Sequence, residues 1–399
     1  MTASLDRNRR KFLMTSAGGA AAAGLAGLAP SALAKGKPLP GYAAWKDEAN
    51  LIVHSSNTME TVRGAQGTSV ITANEVLFVR NNLTPPDEAA VKNADAWQVE
   101  IQGVTNPRSF TLGELKALGV EAVPMVLQCS GNGRAFFGHK VGGTQWKTGA
   151  AGCSLWSGVP MKAVVAAVGG VRQGMRYMTS TGGETLPAGV DPKRALVERS
   201  VPWNMLERAI LAWELNGAPL PVANGGPVRM IIPGYYGVNN VKYVKRVEFT
   251  ADQTDARIQS SSYRVRPIGE KGAPGQPTMW DMNLKSFVTN PSGEDGQTVR
   301  AGMVQITGVA WSGTSAVKGV EVSLDGGASW RAAEFFGPLL GPHAWRQFVL
   351  AVRLSPGTYT ITSRAHAYDG EVQPELRVEN ERGYGHNGWR DHAVKVTVA

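Results

Sequence analysis

Cysteine is scarce in this chain of 399 residues: only Cys129 and Cys153 occur. Two thiols cannot hold an iron–sulfur cluster, and no Cys-x-x-Cys-His sequence is present to attach a c-type haem, so the chain is expected to carry no haem of its own. Long apolar runs are missing as well. After residue 34 none approaches the roughly 18 uninterrupted apolar residues of a membrane-spanning helix. No internal repeat or low-complexity tract follows that point. What is present is ample core material: 43% of residues are hydrophobic and 18% charged, enough at this length for two domains.

Residues 1–34 read as an address rather than as fold. Asn8-Arg9-Arg10-Lys11-Phe12-Leu13 is a twin-arginine element, Ala17 to Ala29 is an Ala/Gly/Leu-rich stretch, and Ala32-Leu33-Ala34 is a small-residue cleavage site. The expectation is a periplasmic protein, exported by the route that carries proteins already folded around a cofactor. Beyond that segment 37 basic residues stand against 31 acidic ones, a net charge of +6. Export argues against nucleic acid as the partner. An anionic substrate or an acidic protein partner is the better inference.

From Lys35 to about Ala49 the chain reads as an extended arm. Strands are expected at Val76–Arg80, Trp97–Ile101, Arg208–Glu214 and Val228–Ile232. Thr111 and Glu114 are spaced as a capping box opening a short helix, and Val159 to Val168 reads as another. This mixture points to an α+β domain. Gly269 to Pro277 is rich in Gly and Pro, as a linker is. After it come short strands at Val304–Trp311, Val320–Leu324, Trp345–Leu354, Tyr359–Ala367 and Ala393–Val398. Asp325-Gly326-Gly327 marks a hairpin turn among them, and the spacing suits an immunoglobulin-like β-sandwich.

The chemistry concentrates at Cys129. Val126 and Leu127 end a buried strand, and the chain then opens into Cys129-Ser-Gly-Asn132-Gly-Arg134. A thiol at a strand end, close to backbone amides and a fixed cation, is set up as a nucleophile or a metal ligand. A disulfide with Cys153 is the other use of the same residue. Three more segments join polar groups to turns: Phe78-Val79-Arg80-Asn81-Asn82, Pro227-Val-Arg229 with Pro233-Gly-Tyr-Tyr-Gly237, and Asn239-Asn240-Val241-Lys242. Arginine, lysine and backbone amides on loops are what a phosphate or pterin needs.

In this order, from about Leu77 to the C-terminus, these segments resemble the sulfite oxidase family of molybdopterin enzymes. Leu127 to Arg134 is similar to that family's cysteine loop, and Phe78 to Asn82 to its cofactor-binding arginine segment. Glu214 to Pro221, Pro227 to Arg229 and Asn240 to Lys242 are similar to the elements that hold the dithiolene phosphate. Val322 to Trp330 resembles the start of its dimerisation domain. The resemblance implies a molybdopterin-binding catalytic domain over residues 35–275 and an immunoglobulin-like dimerisation domain over 276–399, with one molybdenum–molybdopterin per chain.

It also implies roles. Cys129 would be the single protein thiolate on the metal. Arg80, Arg134 and Arg346 would hold an anionic substrate, and Tyr263 would be the active-site phenol. Phe78, Val79, Arg80, Asn81, Asn82, Asn224, Arg229, Asn240, Val241 and Lys242 would hold the cofactor. The chain departs from the family's pattern in four places. Gly133-Arg134 stands for two arginines, Asn82 and Asn224 stand where histidines are usual, and an aspartate expected between Ser180 and Glu184 is missing. Within the family the chain is most similar to the molybdenum subunits of periplasmic sulfane dehydrogenases. That implies oxidation of sulfane sulfur on a carrier protein, a c-type (dihaem) cytochrome as acceptor, and a homodimer. A dehydrogenase of free sulfite is the alternative. An exported binding protein with paired cysteines and no metal is the reading from outside enzymology.

Overall fold

The structure, a computed structural model, describes residues 37–399 apart from Lys140 and residues 294–296. The twin-arginine element and cleavage site lie outside the described residues. Among those residues no helix is long and apolar enough to cross a membrane.

The N-terminal half is built on three sheets. A small one joins β1 (Leu51–Ser55), β2 (Thr58–Thr61) and β3 (Val79–Arg80). The expected strand at Val76–Arg80 is paired only at its end, because β2 offers partners for Val79 and Arg80 alone: Met59 and Thr58. A mixed sheet runs in the order β5-β4-β13-β8-β9, from β4 (Gln98–Gln102), β5 (Arg108–Thr111), β8 (Tyr177–Thr181), β9 (Glu198–Pro202) and β13 (Arg246–Thr250). Helix α1 (Leu112–Ala117) follows β5, and its capping box forms as read: the Thr111 hydroxyl accepts from the Glu114 amide while the Glu114 carboxylate accepts from the Thr111 amide.

The third sheet carries the site. It is formed by β6 (Glu121–Gln128), β7 (Ala151–Pro160), β10 (Ile210–Leu215), β11 (Ala218–Pro219) and β12 (Arg229–Ile231), with β10 in the middle. Strand β6 is buried along its second half, Met125 to Gln128. Its last residue is therefore fixed on both faces just before Cys129. Helix α2 (Met161–Ala167) leaves β7 directly and buries Met161, Val164 and Val165 against the core.

Residues Gly269 to Pro277 form neither helix nor strand. Beyond them, β14 (Lys285–Asn290), β15 (Thr298–Val299), β16 (Gly302–Trp311), β17 (Val317–Ser323), β18 (Arg331–Phe336), β19 (Arg346–Leu354), β20 (Gly357–Ala367) and β21 (Val394–Val398) make one eight-stranded sheet. Its order is β14-β16-β19-β18-β17-β20-β21-β15, and it curls so that β14 packs on β20 around Ile306, Val320, Phe348 and Ile361. The Asp325-Gly326-Gly327 turn joins the antiparallel pair β17 and β18, as expected from the sequence.

Candidate active site

Cys129 is the first residue past β6. Its amide donates to the Ala150 carbonyl (2.9 Å), and its own carbonyl accepts from the Asn132 amide (2.9 Å). The Asn132 side-chain oxygen in turn accepts from the Ala150 amide (3.2 Å), tying the loop to β7. Gly133 sits at φ +97°, and a Cβ there would meet the His386 ring at 2.5 Å, so no larger residue fits that corner. The disulfide alternative is not formed. Both thiols are free, and Cys153 lies opposite Val126 on β7. That is three residues, roughly 10 Å of strand, from the position opposite Cys129, beyond the reach of a disulfide. Burial pushes the Cys153 thiol up to about 12, which makes it inert.

Cys129 lines a cavity together with Phe78, Arg80, Asn81, Asn82, Arg229 and Lys242, and with Asn240, Val241 and Tyr263. Segments more than 150 residues apart in the chain thus meet around one thiol. Val79 does not face it; its side chain packs with Val53 and Met59. Asn224 sits beneath it, where its carbonyl accepts from Arg229 Nη1 (2.6 Å) and its side-chain oxygen is buried without a partner.

The cavity's far end is unusual for its charge. Lys242 lines the cavity half-buried and donates to neutral oxygens, Asn81 Oδ1 (2.6 Å) and the Ala223 carbonyl (2.7 Å). Burial first, then the positive Arg229, Arg80 and Lys46, holds its ammonium well below the usual lysine range. Arg229 is buried, donates to the carbonyls of Asn240 and Asn224, and is pulled down to about 9 by burial. Lys46 falls to about 7 for the same reason. The single carboxyl here is Glu184, where the sequence departs from an expected aspartate. Burial raises it to about 7, and its Oε2 has no partner.

Several buried cations against one half-neutral acid is a costly arrangement unless an anion completes it. A phosphate-bearing cofactor supplies that anion, and the orphaned polar atoms of Glu184 and Asn224 are where its hydrogen bonds would go. No group of three or more His, Cys, Asp or Glu gathers among the described residues. A metal at Cys129 would therefore take its remaining ligands from the cofactor.

In front of Cys129 the cavity opens into a second chamber shared by Arg80, Asn82, Arg134 and Tyr263, to which Arg382 and Tyr384 are added. Arg80 is held by the Asn81 carbonyl and by Asn82 Oδ1 (2.9 Å). Burial opposes its charge, but Tyr263, Cys129 and Tyr384 outweigh burial and raise its pKa, with the Tyr263 phenol in hydrogen-bonding reach of the guanidinium. Arg134 is pinned by the carbonyls of Arg382 (3.0 Å) and Thr144 (3.0 Å).

One expectation needs correcting. Arg346 does not reach either chamber: it starts β19, opposite Ala310, with its guanidinium 4.1 Å from the centre of the Phe335 ring. Its place in β19 directs it at Phe335 of the neighbouring β18 instead. The third arginine is Arg382, from the coil between β20 and β21. Arg382, Tyr384 and the buried Arg199, which lies over the Tyr263 ring, were not singled out from sequence. The only local hint was Asn380-Glu-Arg382-Gly-Tyr384-Gly, an arginine and a tyrosine among glycines.

Comparison with known proteins agrees with this geometry. The oxidoreductase molybdopterin binding domain family matches residues 86–258, and the Mo-co oxidoreductase dimerisation domain family matches residues 276–399. The chain is 31% identical to mitochondrial sulfite oxidase of Macaca fascicularis over 82% of its length, and spans 62% of that protein. It is 30% identical to sulfite oxidase of Gallus gallus over 80% of its length, covering 72% of that protein. Among solved structures, the sulfane dehydrogenase SoxCD from Paracoccus pantotrophus is similar with a TM-score of 0.72 and 26% identity, over 94% of this chain and 96% of that one. The chain spans about three fifths of the length of the mammalian sulfite oxidases it matches. With Cys129, the buried cations and both domains in place, the chain belongs to the sulfite oxidase family of molybdopterin oxidoreductases.

Proposed function

We propose that this molybdopterin oxidoreductase oxidises sulfane sulfur carried on a protein partner and passes the electrons to a c-type cytochrome. In this reading it is exported to the periplasm, carries no haem itself and pairs with a second copy through residues 276–399. The observation that carries the reading is the form of the approach to Cys129. Beyond the second chamber lies a third, bounded by Arg80, Asn82, Tyr263, Arg382 and Tyr384 and extended outward by the exposed Arg194 and Arg257. No carboxylate lines the second or third chamber among the described residues. A small free anion needs only the inner arginines. A substrate delivered on another macromolecule is suited by an outward approach that carries several arginines and no carboxylate. Similarity to a sulfane dehydrogenase over nearly the whole chain supports the same reading.

When bound, the molybdenum cofactor supplies two-electron oxygen-atom chemistry. Cys129 holds the metal, and Arg229, Lys242 and Asn81 hold the cofactor's anionic end. Glu184, when protonated, can donate from its unpartnered Oε2 to an anionic oxygen. Arg80, Arg134 and Arg382 bind and orient the sulfur anion; guanidinium suits this because it is weakly hydrated and loses little on burial. Phe78, packed edge-on to Trp146 (6.5 Å), closes the wall against water. Each turnover adds one oxygen from water to sulfur and releases two protons and two electrons.

Free sulfite is the second reading, favoured by the similarity to vertebrate sulfite oxidases. The test is turnover by the loaded protein with a c-type cytochrome. Carrier-bound sulfane sulfur should be oxidised with at least tenfold higher kcat/KM than sulfite. Equal or faster turnover of sulfite would remove the first reading.

A further inference from the structure

Tyr384 belongs to the C-terminal half, yet it lines both outer chambers with Tyr263. The two rings stack almost in parallel, with centroids 5.1 Å apart and planes 11° from one another. Nothing fits between rings that close, so each restricts the other's tilt. A cation stands beside each of them: Arg199 is 5.7 Å from the Tyr263 ring, and Arg134 is 5.5 Å from the Tyr384 ring. The Tyr384 hydroxyl donates to the Ser262 carbonyl (3.2 Å), one residue before Tyr263. Ser262 ends a single π-helical turn, Ile258–Ser262, whose Ile258 carbonyl accepts from Arg199 Nη1 (2.8 Å).

Tyr263 needs such support. It follows an irregular turn and has φ −100° and ψ 54°, outside helix and strand; its carbonyl accepts from the Met279 amide (3.2 Å), which fixes the backbone on that side but leaves the ring's tilt to its neighbours. Its useful atom is the phenol oxygen, at the far end of the side chain, where a small tilt of the ring becomes a large displacement. Arg199 grips the turn from one side. Tyr384 grips it from the other by one hydrogen bond and one ring face. Because Tyr384 lies two residues after Arg382 in a segment that also supplies the third arginine, the C-terminal half reaches into the chamber twice.

We propose that Tyr384 is a positioning residue for Tyr263: its ring, stacked on the phenol, holds the Tyr263 hydroxyl beside Arg80 in front of Cys129. The inference rests on Cys129 marking the metal and not on which sulfur compound is oxidised, so sulfite serves as the probe.

The experiment uses the loaded full-length protein and four variants. Tyr384→Phe keeps the ring and should retain kcat within about threefold. Tyr384→Met keeps bulk in the wall but loses the flat face, and should lower kcat at least tenfold while changing KM less than threefold. In the background of Tyr263→Phe, adding Tyr384→Met should cost no further activity, since a residue acting only through the phenol has nothing left to position. The electron paramagnetic resonance spectrum of the partly reduced protein should change alike in Tyr263→Phe and Tyr384→Met and remain unchanged in Tyr384→Phe. Independent, additive losses, or a Met variant with wild-type turnover and spectrum, would overturn the proposal. If Tyr384→Met does not fold, a Tyr384→Phe variant as impaired as Tyr263→Phe would overturn it equally. Failure of the metal assignment shows separately, as a protein without molybdenum.

Discussion

The loop after Cys129 separates two buried polar regions that handle charge differently. On one side Lys242 and Arg229 line the cavity, with neutral oxygens as their hydrogen-bond acceptors. On the other side Lys285, His386 and His392 are buried beneath the loop and line none of the three chambers described above. Lys285 is fully buried and has one long contact, 3.4 Å to the Asn132 carbonyl. Burial draws it down to about 7 and draws His386 to about 4, while Asp391 accepts from His386 Nε2 (2.9 Å) and from Arg377 (2.7 Å). Behind the loop, then, charge is discharged by losing protons or by pairing with Asp391. In front of it Arg229 keeps its charge because guanidinium scarcely loses its proton even when burial lowers its pKa. Uncompensated positive charge that faces space is the mark of an anionic ligand; similar charge without space is a structural burden.

The comparison can be broken most directly at the two cysteines. Cys129→Ser should lower turnover by roughly a hundredfold or more, the upper end of what changes around a metal cost, and should lower molybdenum content measured by mass spectrometry. Cys153→Ala, three positions back on the neighbouring strand, should leave both within about twofold.

Lys242→Met tests the front. It should reduce cofactor retention at least tenfold, yet raise the stability of the cofactor-free protein, because a desolvated ammonium crowded by other cations is removed. Thermal unfolding of loaded and cofactor-free protein, side by side, checks both signs. If the two forms shift together, the charge is not waiting for the cofactor.

Lys285→Met tests the back and should leave cofactor content unchanged. Here the pH dependence carries the information. The native pKa of Lys285 is near 7, whereas the unfolded value is near 10.5. Between those values the unfolded chain binds the extra proton, so the wild type gains stability as pH rises from 7 towards 10.5. The Met variant should lack that part of the rise. Its advantage should be greatest at pH 7 or below and shrink at pH 9.5, as urea midpoints at the two pH values would report.

Much of the front could be read along the chain. The run ending in Leu127 is apolar and bounded by glycines, so a strand delivering Cys129 to a loop is a local matter. Thr111 and Glu114 form their capping box because both partners lie within one turn. Arg80 and Arg229 were legible because each bounds a short apolar strand, and Lys242 because it closes the polar turn Asn239-Asn240-Val241. The third arginine was not. Arg346 and Arg382 both follow an aromatic or polar cluster in the C-terminal half, and only the curl of the eight-stranded sheet sends the segment around Arg382 back to Cys129 while leaving Arg346 on β19.

The sequence by itself determined the local chemistry: a lone thiol at a strand end, arginines and a lysine on tight turns, an α+β half followed by a strand-rich half. These depend on neighbours a few residues away, where backbone sterics and short hydrogen bonds decide. Only the tertiary structure decided that Tyr384 stacks on Tyr263, that Glu184 is buried beside the cavity with its Oε2 unpartnered, and that Lys242 donates to neutral oxygens rather than to a carboxylate. Each of those depends on groups tens to more than a hundred residues apart being buried together, and burial in a low-dielectric interior is a property of the assembled fold rather than of any segment.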